Sequence, residues 1–300
     1  MKISYFPGCA LKSNAKNLEA TAIMVAEKLG VEMIELPRWN CCGAVHSLVS
    51  DDLMRRAAPI RDLLRVKQTA KKYGLSELSV VTLCSMCFNS LKQAAIFAEH
   101  NPDKLEIINA MMEEEEDHYD GGVKVKHFLE LLREIGPARI SSSVVKPLKS
   151  LRVAPYYGCL LLKPRGLGID DPESPTIMKD ILQALGVEVV DFPYKNKCCG
   201  SYQTVDKKNL VVKLTYEILS YASKSGADVI ALSCPLCFFN LDERQREIKK
   251  SYSGWREIPI LYFTQLMALA FGFKADLCGF NLHYVDPTPI LVEKGLIGGV

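Results

Sequence analysis

Short β-rich apolar runs alternate along this chain with longer stretches whose apolar positions recur at helical spacing. Lys2 to Phe6 reads as a strand, Ala15 to Leu29 as a helix and Val31 to Leu36 as a second strand. The same order returns from Arg152 to Tyr157, Thr176 to Leu185 and Val187 to Phe192. Strands alternating with helices predict βαβ units and a parallel sheet, an α/β fold whose ligand sites lie beyond the carboxyl ends of the strands. The most apolar stretch, Ile258 to Phe273, is interrupted by Pro259, Thr264 and Gln265. It falls short of the ~20 apolar residues a spanning helix needs, and so predicts a buried helix and no membrane insertion. The start, Met1 to Gly8, lacks the apolar core of a signal peptide, which predicts a cytoplasmic protein.

The alternation is a tandem repeat with an offset of about 150. Gly8-Cys9 matches Gly158-Cys159, and Leu29-Gly30-Val31-Glu32 matches Leu185-Gly186-Val187-Glu188. Pro37 with Cys41-Cys42-Gly43 matches Pro193 with Cys198-Cys199-Gly200, and Cys84-Ser85-Met86-Cys87-Phe88 matches Cys234-Pro235-Leu236-Cys237-Phe238. Two βαβ-type domains are therefore predicted, 1–140 and 151–300. They are joined by a linker over 136–150 marked by Gly136-Pro137, Ser141-Ser142-Ser143 and Lys146-Pro147. The first half alone carries a charge run from Glu113 to Asp117, followed by Gly121-Gly122, which reads as a solvated loop.

With 48% hydrophobic and 24% charged residues, the chain can bury a sizeable core. Its net charge of +2 contains no basic block, so nothing argues for nucleic acid or a membrane surface. The eleven cysteines change the picture. A reducing compartment does not sustain a disulfide framework and a chain of this size does not require one, which leaves metal or redox chemistry.

Ten of the eleven fall into two sets of five: Cys9, Cys41, Cys42, Cys84 and Cys87, then Cys159, Cys198, Cys199, Cys234 and Cys237. Each set places one cysteine after its first strand, an adjacent pair after its second and a C-x-x-C after its third. A structural zinc takes four ligands, usually from two C-x-x-C knuckles, and would leave one thiol over. A cubane [4Fe-4S] cluster also takes four, so a fifth thiolate points to an irregular cluster in which one sulfur bridges two irons. The C-x-x-C pairs enter helices, where unpaired N–H groups favour thiolates and offset the charge of a cluster. A zinc role for one set and a thioredoxin-like dithiol are the alternatives. Cys278 has no counterpart and reads as a small buried hydrophobe.

At these residues the chain resembles the CCG-domain, cysteine-rich family, whose motif is a cysteine, a Cys-Cys-Gly and a C-x-x-C in that order. Only the stretch from Cys42 to Cys84 is longer than the family's usual spacing. Two complete sets, no fused C-x-x-C-x-x-C ferredoxin-like part, and the tail His283-Tyr284-Val285-Asp286-Pro287 resemble most the heterodisulfide reductase B branch of methanogenic archaea. That resemblance implies two non-cubane [4Fe-4S] clusters facing each other across the domain interface. It implies reduction of the coenzyme M–coenzyme B disulfide, with one electron supplied on each side. It also implies a ferredoxin-like subunit of the C type as partner and, through it, a flavoprotein of the A type. Other members of the family imply the alternative, an electron-relay subunit of a glycolate, lactate, succinate or glycerol-3-phosphate enzyme.

An anionic substrate asks for a basic entrance. Lys12 and Lys163 follow the first cysteine of each repeat, and Arg165, Lys197, Lys195 and Arg38 lie near other ligands in sequence. His46, shortly after Cys41-Cys42-Gly43, is the candidate proton donor to a leaving thiolate.

Overall fold

The computed structural model describes residues 1–43 and 51–298. Its strands form two four-stranded sheets, one per half. The first holds β1 (Lys2–Phe6), β2 (Glu32–Glu35), β3 (Ser79–Thr82) and β4 (Lys124–His127) in the order β2-β1-β3-β4, all parallel. The second holds β5 (Arg152–Pro155), β6 (Glu188–Val189), β7 (Val229–Leu232) and β8 (Ile260–Tyr262) in the order β6-β5-β7-β8, again all parallel. This is the tandem α/β architecture the alternating pattern predicts. One strand falls short of its expected length: β6 has two residues where Val187 to Phe192 suggested a longer run.

Parallel sheets are covered on both faces, and the central strands show it. All four residues of β3 and of β7 are buried. The covering helices of the first half are α1 (Lys16–Lys28), α2 (Met54–Tyr73), α3 (Ser85–His100), α4 (Pro102–Ala110) and α5 (Phe128–Ile135). Helix α1 buries Leu18, Ala22, Val25 and Ala26, one stripe at helical spacing. After the short α6 (Pro137–Ser142), the second half adds α7 (Ile177–Ala184), α8 (Lys208–Lys224), α9 (Pro235–Glu243), α10 (Gln245–Ser251), α11 (Phe263–Ala270) and α12 (Thr288–Glu293).

Three local expectations change. The run Ile258 to Phe273 is not one helix: β8 ends at Tyr262 and α11 begins at Phe263. Burial on all sides erased the periodicity that separates strand from helix, and the Gln265 side chain sets the boundary by accepting the Tyr262 N–H at 2.8 Å. The charge run is not wholly solvated either. Glu115 pairs with Arg65, which is 3% exposed and holds its carboxyl below the usual range, and with Arg61 at 3.4 Å. The stretch 136–150 carries α6 with Ile140 fully buried, and Val145 and Lys146 both donate backbone N–H groups to Ala270.

The halves meet with a pseudo-twofold logic. Helix α1 packs on α11 and α7 packs on α5, so the first helix of each half meets the helix that follows the other half's last strand. Between them the Thr21 and Thr264 hydroxyls pair at 2.7 Å, and the rings of Phe128 and Phe263 lie 6.2 Å apart. Among the described residues no helix is long and apolar enough to cross a membrane. Phe263 is fully buried at this seam. Phe263→Ala is expected to cost about 3–5 kcal/mol in chemical denaturation; a loss under about 1 kcal/mol would show that the seam is not packed as described.

Candidate metal centre

In each sheet the chain runs from its first strand to one edge and then returns to the other side, so the loops after β1 and β3, and after β5 and β7, part at a switch point. Such a crevice beyond the carboxyl ends is where open parallel sheets hold ligands. Cys9 follows β1 and Cys84 follows β3; Cys159 follows β5 and Cys234 follows β7. The adjacent pairs Cys41-Cys42 and Cys198-Cys199 arrive from the loops after β2 and β6. Topology alone therefore gathers ten cysteines that are far apart in sequence.

Cys84 and Cys234 are the N-caps of α3 and α9, with Cys87 and Cys237 in the first turns. Cys42, Cys84, Cys87, Cys199, Cys234 and Cys237 are buried; Cys9, Cys41 and Cys198 are exposed, and Cys159 is half-buried. None of these is in a disulfide. Cys42 Sγ lies 3.4 Å from Cys87 Sγ, the equivalent Cys199 and Cys237 sulfurs are also 3.4 Å apart, and Cys9 and Cys41 are 4.0 Å apart. Across the seam, the Ser85 and Ser233 hydroxyls, which follow Cys84 and adjoin Cys234, pair at 3.0 Å. The two sets meet at this seam. Among the described residues no three ligating side chains surround one point as a single ion requires; the sulfurs are spread in touching pairs.

The electrostatics split each set. Cys42 is pushed up to about 12, first by the Cys41 thiol against it and then by burial. Cys87 and Cys237 are raised by the thiols at their sides, Cys42 and Cys199 first. Cys198 falls to about 6, because it accepts from Cys159 and from the Gly200 and Ser201 N–H groups. Cys234 is held well below the usual thiol range by the Cys237 and Cys84 thiols and by two N–H groups of the α9 N-terminus. Asn240 supports this set, donating to the Cys199 carbonyl at 3.1 Å and toward its sulfur at 3.5 Å.

Glycine makes the packing of sulfur possible. A Cβ on Gly8 would lie 2.9 Å from Cys87 Sγ, and one on Gly158 would lie 3.4 Å from Cys237 Sγ. Both glycines also have positive φ, +71° and +68°. Free thiols, close sulfur pairs and a backbone pared down around them are what a multi-iron cluster asks of a protein. The residues fit the group.

Two cavities lie in corresponding places of the repeat, one bordered by cysteines and one not. One, of about 600 Å³, is bordered by Cys9, Cys42, Cys84 and Cys87 and walled by residues such as Leu236, Phe238, Phe239 and Tyr262; among the described residues no charged side chain lines it. The tail reaches it through Leu282 and Tyr284, and is fastened by Asp242, which accepts the Tyr284 and Val285 N–H groups at 2.7 and 3.2 Å. The other, of about 700 Å³, is lined by Lys163, Arg165, Arg55, Asn89 and Glu173, among others.

Of the other sequence candidates, Lys163 and Arg165 thus share one cavity. Lys12 is engaged by Glu19 and Glu35, both at 2.7 Å. Lys197 sits over the Tyr194 ring at 5.4 Å, Lys195 pairs with Asp191, and Cys278 is buried. Arg38 holds a positive φ of 51°. His46 lies outside the described residues. Sequence reasoning missed Tyr262 and His127 at the ends of β8 and β4, which stand 135 residues apart rather than at the repeat offset and carry no shared motif. The signal available was position: each precedes a Phe that opens a helix.

Comparison with known proteins agrees with the geometry. The family model described as a cysteine-rich domain, CCG, matches residues 3–92 and again 153–242. The 8-methylmenaquinol:fumarate reductase membrane anchor subunit of Wolinella succinogenes is 32% identical over 96% of this chain and 99% of its own length. One component of the ferredoxin/F(420)H(2)-dependent CoB-CoM heterodisulfide reductase of Methanosarcina acetivorans, its B polypeptide, is 28% identical over 97% of this chain and 96% of its own. A crystal structure of a hypothetical protein from Helicobacter pylori shares the fold, with a TM-score of 0.74 and 14% identity over 94% of this chain. This chain spans 51% of that one.

The glycine cradle predicts an outcome in iron content. Gly8→Ala should lose about half of the bound iron, the share of one of two equal clusters. Gly30→Ala, with a similar φ of +82° but nothing within 4 Å, should keep all of it and lose only stability. Equal iron in the two variants would show that crowding at Cys87 is unimportant.

Proposed function

The chain belongs to the cysteine-rich CCG domain family, and from that premise we propose that it is an iron–sulfur redox subunit with one non-cubane [4Fe-4S] cluster on each five-cysteine set. The observation that carries the reading is the meeting of two complete five-cysteine sets across the seam, where the Ser85 and Ser233 hydroxyls, each next to a cysteine of its set, pair at 3.0 Å. Likeness to the Methanosarcina protein supports the finer reading, the catalytic subunit of a cytoplasmic heterodisulfide reductase acting on the coenzyme M–coenzyme B disulfide. One disulfide takes two electrons and two protons to give two thiols. When bound, the two clusters supply two one-electron centres.

The chain's own residues do the rest. The cysteines hold the clusters, and the apolar wall of the neutral cavity keeps water from the first set. Lys163 and Arg165 offer the anionic ends of the substrate a basic mouth. His46 is the proposed proton donor. Electrons are proposed to come from a separate ferredoxin-like subunit that is itself bound to a flavoprotein.

A second reading is favoured by the neutral cavity, whose described lining offers no cation to an anionic disulfide but suits an uncharged ring. The Wolinella relative, whose name joins a methylmenaquinol to a fumarate reductase, supports the same reading. The chain would then relay electrons.

Anaerobic spectroscopy separates the two. The first reading predicts that the coenzyme M–coenzyme B disulfide changes the cluster spectrum of the isolated subunit and that a menaquinone analogue does not; the reverse response would replace it with the relay. Cys42→Ser and Cys199→Ser each exchange a soft thiolate for a poorly ionised hydroxyl. Each variant should keep about half the iron yet reduce essentially no disulfide, since neither one-electron centre completes the reaction alone. A Cys199→Ser protein retaining about half the rate would contradict the paired mechanism.

A further inference from the structure

The carboxyl ends of β4 and β8 occupy the same place in the two halves but hold different residues, His127 and Tyr262. Their settings are otherwise alike. Each is followed at once by a phenylalanine that opens a helix, and each has its backbone N–H held by the side chain three residues on, Glu130 at 2.9 Å and Gln265 at 2.8 Å.

His127 is fully buried and fully occupied. Its Nδ1 accepts the Leu129 N–H at 3.2 Å, so its Nε2 carries the proton and donates to the Leu83 carbonyl at 3.0 Å. Burial lowers its pKa to about 4, which keeps the ring neutral. It has no donor to spare.

Tyr262 is as deeply buried, 1% exposed, yet its hydroxyl meets no hydrogen-bond partner among the described residues. A buried O–H left without an acceptor is costly, and native interiors rarely keep one. Its ring is fixed by stacking on Phe238, centroids 4.6 Å apart and planes 18° from parallel, while His283 meets the same Phe238 edge-on at 5.0 Å. In the sheet Tyr262 registers with Leu232, two residues before Cys234. It also borders the cavity that Cys84 and Cys87 border. Phe238, on which it stacks, lies one turn after Cys234 in α9 and donates its N–H to the Cys234 carbonyl at 2.8 Å.

We infer that the Tyr262 hydroxyl donates a hydrogen bond to the cysteine thiolates where the two sets meet, Cys234 or Cys84, and thereby tunes the potential of the cluster bound there. The inference rests on the cluster reading above. A thiolate that ligates iron is the acceptor the phenol otherwise lacks. The donor stabilises the more negative, reduced state, so it raises the potential. In the first half, the locked His127 supplies no such bond. The two clusters are therefore poised unequally by one hydroxyl.

The test is Tyr262→Phe, which keeps the ring and its stacking and removes only the O–H. Iron and sulfide are measured first in the wild-type and variant subunits, followed by a redox titration monitored by electron paramagnetic resonance. Unchanged iron with one cluster shifted to a more negative potential is the expected result, and a purely structural tyrosine would not produce it. Full iron with both potentials unchanged would overturn the inference and leave the cluster reading standing. A wild-type protein without iron would overturn both. Stability of the metal-free variant gives an independent check: with its unmet donor gone, Tyr262→Phe should be at least as stable as the wild type.

Discussion

Ten thiols gathered beyond the carboxyl ends of two sheets, six of them buried and several paired within 4.0 Å, are the constraint around which this molecule is arranged. Buried thiolates repel one another and pay for desolvation, so a set of five is not held together by protein contacts alone. Neighbouring thiols raise Cys42, Cys87 and Cys237 and lower Cys198 and Cys234. Iron bound by these cysteines would relieve that repulsion, since cations would take the place of the protons the sulfurs otherwise keep. The strand order, the helix N-termini under the C-x-x-C pairs and the glycines at 8 and 158 all serve to deliver sulfur to one region.

Much of this was legible in the sequence because the repeat writes it twice. Ten cysteines in step, with the same strand-helix order between them, leave little freedom in the fold, and parallel sheets fix which end of each strand holds the ligands. The rest was hidden for physical reasons. Ile258 to Phe273 is buried on every side, so its pattern has no period, and the switch from β8 to α11 depends on a single Gln265 contact. Glu115 looks like one of five acidic residues until Arg65, 50 positions away, is folded against it. Lys12 stands close to a ligand in sequence, yet its charge is turned to Glu19 and Glu35. Nothing local marks Tyr262.

The repeat also shows where the halves were allowed to diverge. Their sulfurs, sheets and seam helices correspond, while the cavities beside them differ in charge: Lys163 and Arg165 line one, and aromatic and aliphatic side chains line the other. Tyr262 and His127 differ in the same way, one with an unmet hydroxyl and one with both nitrogens engaged. A twofold scaffold with unequal sides suits a reaction whose two products or two electron partners are unlike. This is also consistent with relatives whose names carry different substrates on one shared frame.

The claim on which everything else depends is that the two sets hold iron–sulfur clusters, and metal analysis of anaerobically purified protein addresses it directly. About eight irons and eight acid-labile sulfides per chain, four on each set, with no stoichiometric zinc, are expected. One or two zinc ions per chain with little iron would contradict the claim, and would leave the ten cysteines as a structural framework.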